Sequence, residues 1–86
     1  MPAFRLTSRF RGADLRAVDL ASMELRGEDL SGCDLRGVDL SARSLVGADL
    51  TGARLDGARL VGADLRDTLL IGASLREVDA TRARFD

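Results

Sequence analysis

The chain contains no His, Lys, Trp, Tyr, Asn or Gln, and among its 86 residues it has one Pro and one Cys. Without His there is no Ser-His-Asp arrangement and no Cys/His zinc site. Without Lys there is no amine for Schiff-base chemistry. A single thiol, Cys33, closes no disulfide within the chain. No apolar run approaches the ~18 residues of a membrane-spanning helix, and nothing resembles a secretory leader. A cytoplasmic protein with no membrane partner is therefore expected. Thirteen Arg against fourteen Asp and Glu give a net charge of −1, which excludes a strongly basic nucleic-acid binder. Hydrophobic residues make up 45% and charged residues 31%, a globular balance. So short a chain hides only ~60–65% of its unfolded surface, so a narrow core must be held economically.

The order of residues is far more informative. Leu recurs every fifth position, at Leu15, Leu20, Leu25, Leu30, Leu35, Leu40, Leu45, Leu50, Leu55, Leu60, Leu65, Leu70 and Leu75. Phe10 and Phe85 extend the phase at both ends, and Ala80 is its weak member. Two residues before most centres stands a small or apolar residue, such as Ala13, Val18, Met23, Cys33, Val38 or Ala48. All nine Gly lie two residues after a centre, and Asp or Glu usually lies just before one.

A helix cannot use this pattern. A five-residue step rotates by ~140° net, so the leucines would circle the axis without forming a stripe. A long flat strand fails too, because side chains alternate with period two and five is odd. The pattern is satisfied when four residues run extended, with the small residue and the centre inward, and the fifth turns a corner. Gly suits that corner because such turns need positive φ. The chain then coils, with successive coils pairing at ~4.8 Å. A spacing of 20 stacks Gly12, Gly32, Gly52 and Gly72 in one column, and Ala13, Cys33, Ala53 and Ala73 in another. A spacing of 15 has one attraction, since it sets Glu28 beside Arg43. The residues favour four sides over three without deciding.

The runs GADLR (12–16), GCDLR (32–36), GVDLS (37–41), GADLT (47–51) and GADLR (62–66) resemble the repeat of pentapeptide-repeat proteins, over residues 8–86. The resemblance implies an all-β fold, a right-handed quadrilateral β-helix (β-solenoid) with four repeats per coil and about four coils, ~18 Å of rod. Residues 1–7 then form a lead-in or capping strand. The chain departs from the family pattern in lacking Asn and in placing Arg54, Arg59 and Arg84 where Asp is usual.

The expected core comprises Phe10 and the leucines from Leu15 to Leu75. Cys33 falls inward and is expected to fill space. Glu28 and Arg43 are charged at inward positions. Each is expected either to distort the wall and reach water or to join the other in an internal ion pair. The repeat 41–45 lacks both Gly and Asp and is expected to be the most irregular. Asp14–Asp34, Asp19–Asp39 and Asp29–Asp49 become vertical pairs at the coil spacing. That spacing resembles a glycosidase dyad, yet no cleft or sugar platform accompanies it, so no catalytic residue is assigned. Two carboxylates on a flat wall offer too few ligands for a metal, and no cofactor is expected. In Asp-Leu-Arg triplets, Asp14 and Arg16, Asp34 and Arg36, and Asp64 and Arg66 share the outer surface. The inverted triplet 54–56 sets Arg54 over Asp34 and Asp56 over Arg36.

Two functional expectations follow. The first is a structural or protein-interaction module that stacks with its own kind through its last coil. The repeat phase runs to Phe85 without a closing helix, and Leu69 and Ile71 flank a centre and so point outward. Leu69, Ile71 and Phe85 are the expected contact residues. The second is implied by the resemblance: some family members mimic duplex DNA and bind type II topoisomerases such as DNA gyrase, without touching nucleic acid directly. Such mimicry needs a continuous acidic wall. The outer positions of the four faces carry net charges of 0, +1, −2 and 0, so this expectation ranks second.

Overall fold

The computed structural model describes residues 10–86; the expected lead-in at 1–7 lies outside the described residues. The chain forms a β-solenoid built from isolated parallel bridges, each joining a residue to the one twenty positions on: Asp14 to Asp34, Asp34 to Arg54 and Arg54 to Ser74 follow one line. The coil therefore takes twenty residues, and the fifteen-residue alternative falls. Among the described residues no continuous strand forms, because each five-residue repeat gives one bridging residue before the chain turns.

The backbone explains the period. In each regular repeat the centre Leu accepts a turn bond from the residue three on, as Leu50 O does from Ala53 N at 2.9 Å. Between them the corner residue has positive φ, as at Gly52 (69°) and Gly47 (75°), the pattern of a type II turn. The centre then donates upward, Leu35 N to Arg54 O at 2.7 Å, and the residue before it donates downward, Asp34 N to Ala13 O at 2.9 Å. Corner stacks on corner through bonds such as Gly32 N to Thr51 O at 2.8 Å. Few backbone groups inside the stack are left to be hydrated, which a buried ladder requires.

Leucines from Leu15 to Leu65 are all buried, together with Cys33, Ala48, Ala53, Ala58 and Ala63. The small residue allows the walls to approach, and Leu fills the space between them. Three expected core residues depart from this. Phe10 and Leu70 are half-buried, and Leu75 is 40% exposed. Leu70 and Leu75 lie in the last coil, where no described coil covers one side. Cys33 is fully buried, and its Sγ lies 2.8 Å from Phe10 O, so it fills an inward position as expected.

Four corners lack Gly and still adopt the left-handed region: Ala42, Asp67, Glu77 and Arg82, with φ of 57–63°. Ala17 and Ser22 do not. The irregularity falls one coil below the expected repeat 41–45. The repeat 41–45 keeps its turn and its bridge, Ser44 to Asp64, whereas pairing is lost below it, between residues 16–26 and 36–45. Asp19 and Asp39 accordingly form no bridge, unlike Asp14–Asp34 and Asp29–Asp49.

Candidate functional site

The outer surface is organised by carboxylates that close the corners. Asp Oδ1 accepts the N–H two residues on: Asp34 from Arg36 at 3.2 Å, Asp49 from Thr51 at 3.0 Å, Asp39 from Ser41 at 3.0 Å. This Asx-type bond ties the start of the corner to the end of the wall. It explains why acid so often stands before a centre, and sequence reasoning missed it by treating those acids as surface charge. Part of the signal was present, since Asp29, Asp34 and Asp49 each stand three residues before a corner Gly.

In the triplets the same acid also takes an Arg fork. Asp14 receives Arg16 Nε at 3.0 Å and Nη2 at 2.9 Å, and Asp64 receives Arg66 at 2.8 and 2.6 Å. The Arg16 guanidinium holds the Asp14 carboxyl down to about 2, and Arg66 does the same for Asp64. Asp34, served by Arg36 and approached by Arg16 at 3.4 Å, lies well below the usual carboxylate range. The expected cross-coil pairs of the inverted triplet are not formed. Asp56 instead accepts Ser74 Oγ at 2.6 Å and Arg76 N at 2.9 Å, one coil above. Ser74 cannot supply the corner carboxylate of its own repeat, so Asp56 supplies it from below. The Ser74 hydroxyl, with Arg76 N–H, lowers the Asp56 pKa.

The expected internal ion pair is also absent. Arg43 donates to Leu20 O at 2.9 Å and Met23 O at 2.6 Å, with no bond to Glu28. Glu28 stays inward, only 8% exposed.

The expected contact residues are gathered in the last coil, 67–86. Leu69 takes the wall position that Asp29 and Asp49 occupy below it, and it is 51% exposed. Ile71 begins the next corner and is 73% exposed. Phe85 is 48% exposed at the end of the same coil, where the uncovered Leu75 adds to the apolar surface. Leu75 was expected in the core, so its part in this surface was not legible. In the coils below, Leu50 N and Leu55 N each donate to the coil above. Among the described residues, the amides of Leu70 and Leu75 donate to no backbone carbonyl.

A coiled ladder of five-residue repeats, Leu-filled and closed at its corners by acids, defines a class. Pentapeptide repeats match in eight copies, over residues 8–42, 33–70 and 48–86. The chain belongs to the pentapeptide-repeat family. It is similar to a crystallised pentapeptide repeat protein, Rfr23, from the cyanobacterium Cyanothece 51142, with 37% identity and a TM-score of 0.68. That match covers 70% of this chain but 41% of Rfr23, so the chain spans less than half its relative's length. A pentapeptide repeat protein of the Arabidopsis thaliana thylakoid lumen shares the fold at 24% identity and a TM-score of 0.53, over 94% of this chain and 70% of its own. No curated protein sequence matches significantly.

Proposed function

We propose that this chain is a non-enzymatic, cytoplasmic interaction module: a right-handed quadrilateral β-helix of about four coils that associates with a second copy through its last coil. The observation that carries the reading is the apolar surface of residues 67–86, where Leu69, Ile71, Leu75 and Phe85 are all substantially exposed. Covering one such side chain contributes on the order of 1–2 kcal/mol, and the ladder donors of Leu70 and Leu75 gain acceptors in the same contact. Light scattering across micromolar concentrations tests it. A dimer or larger species is expected, reduced to monomer by Ile71→Asp or Phe85→Arg. A strict monomer at every concentration would refute it.

The alternative, a DNA-mimicking modulator of a type II topoisomerase, has thinner support. Asp14, Asp34 and Asp64 are answered by Arg16, Arg36 and Arg66, and Asp29 by Arg11 at 2.6 Å, which breaks up a continuous anionic wall. Inhibition or protection of gyrase in a supercoiling assay would revive it.

A further inference from the structure

Above residue 27 the ladder is regular. Leu40 N donates to Arg59 O at 2.8 Å, Arg59 N to Val38 O at 3.0 Å, Leu45 N to Asp64 O at 2.8 Å and Asp64 N to Arg43 O at 2.9 Å. One coil lower, register assigns the same roles to Leu20 with Asp39, Asp39 with Val18, Leu25 with Ser44, and Ser44 with Met23. None of those four bonds forms. The corner bonds from Ala17 to Arg36 and from Ser22 to Ser41 are missing as well. A cleft of about 440 Å³ opens there, lined by Val18, Asp19, Leu20, Val38, Asp39 and Arg43 among others. Val18, inward by phase, is 39% exposed as a result.

Arg43 occupies the inward column that holds Ala63 and Ala83 higher up. A guanidinium placed among leucines must find acceptors. It finds them below: Leu20 O, which already accepts the turn bond from Met23 N, and Met23 O. Met23 O is the acceptor that register reserves for Ser44 N–H, so the side chain has taken the place of the ladder. Ala17 and Ser22, the two corners that do not enter the left-handed region, lie on the opened segment.

We propose that residues 16–26 form a latch with two arrangements and that Arg43 is the wedge that holds it open. In the closed arrangement Arg43 leaves the carbonyls, the two corners turn left-handed and the missing ladder bonds form. Closing removes the cleft and covers Val18. The device lies at the opposite end of the solenoid from the proposed contact surface and stands independently of it.

Amide hydrogen exchange on the intact chain tests the proposal. In the wild type, Asp39 and Ser44 amides are expected to exchange at least about tenfold faster than those of Arg59 and Asp64, which occupy the same ladder role one coil up. Arg43→Ala should slow Asp39 and Ser44 by about tenfold or more while leaving Arg59 and Asp64 unchanged. Ala17→Gly with Ser22→Gly should slow the same two amides with Arg43 still present. Equal protection of Asp39 and Arg59 in the wild type would overturn the idea. So would a folded Arg43→Ala protein with unchanged exchange. Should Arg43→Ala fail to fold, the double Gly variant decides: unchanged exchange of Asp39 and Ser44 there would overturn the proposal.

Discussion

Leu50 and Leu75 occupy the same phase of the repeat, yet Leu50 is fully buried and Leu75 is 40% exposed. Truncation to Ala removes the same three carbons at each. At Leu50 the transfer loss is ~2.4 kcal/mol at ~0.8 per carbon, and the walls, pinned above and below by Leu50 N to Leu69 O at 2.7 Å and its neighbours, cannot collapse into the void. A total of ~3–5 kcal/mol is expected. At Leu75 a little over half of the transfer term applies and no closed cavity forms, giving ~1–1.5 kcal/mol. Urea unfolding followed by far-UV circular dichroism reads the difference as a shift in midpoint at constant slope. Against a total stability of ~5–10 kcal/mol, Leu50→Ala is then severe and Leu75→Ala mild. Equal losses, or a Leu50→Ala cost below ~1 kcal/mol, would refute the idea that stacking within the tube supplies the stability. The cost at Leu75 should also grow with protein concentration if the last coil is covered by another copy.

Glu77 has a φ of 57°, so Glu77→Gly should relieve local strain and raise stability by ~0.5–1 kcal/mol, read by calorimetry as a higher thermal midpoint. The corner carboxylates set an acid limit. Asp14 and Asp64 have folded values near 2, lowered first by Arg16 and Arg66 hydrogen bonds, against an ordinary 3.8. Their contribution is complete above about pH 4 and is lost as pH falls towards 2, so the unfolding midpoint should drop across that window and flatten in high salt. Burial pushes the Cys33 thiol up, so it should resist alkylation at neutral pH until the chain is unfolded in urea.

The interior of the solenoid was legible because its constraint is local and repeated. Every buried leucine from Leu15 to Leu65 follows from counting fives, and the columns follow from counting twenties. The ends were less so: Leu75 obeys the phase as fully as Leu50, and only the presence of a neighbouring coil decides its burial. Corners were ambiguous because residue type does not decide φ there. Ala42, Asp67, Glu77 and Arg82 turn left-handed where a corner bond ties them to one neighbouring coil, as Ala42 N to Val61 O and Gly57 N to Arg76 O do, while Ala17 and Ser22, which lack such a bond on their own amides, do not. Arg43 was rightly singled out, but its destination depended on carbonyls twenty or more residues away that no local pattern names. Asp56 was read as a surface charge facing Arg36, yet it caps a corner one coil up, because the identity of Ser74 mattered as much as its own. Leu69 and Ile71 were visible as breaks in the polar outer pattern.

The tube's two periods differ: its filling repeats every five residues, whereas neighbours across the ladder are twenty apart. Excising one repeat, for instance 52–56, would leave every later Leu still inside. It would also rotate each later outward side chain onto the adjoining wall, so that Arg66 would no longer follow the column it now does. Gain or loss of a single repeat can thus reshuffle the entire exterior of such a protein while leaving its interior unable to register the change.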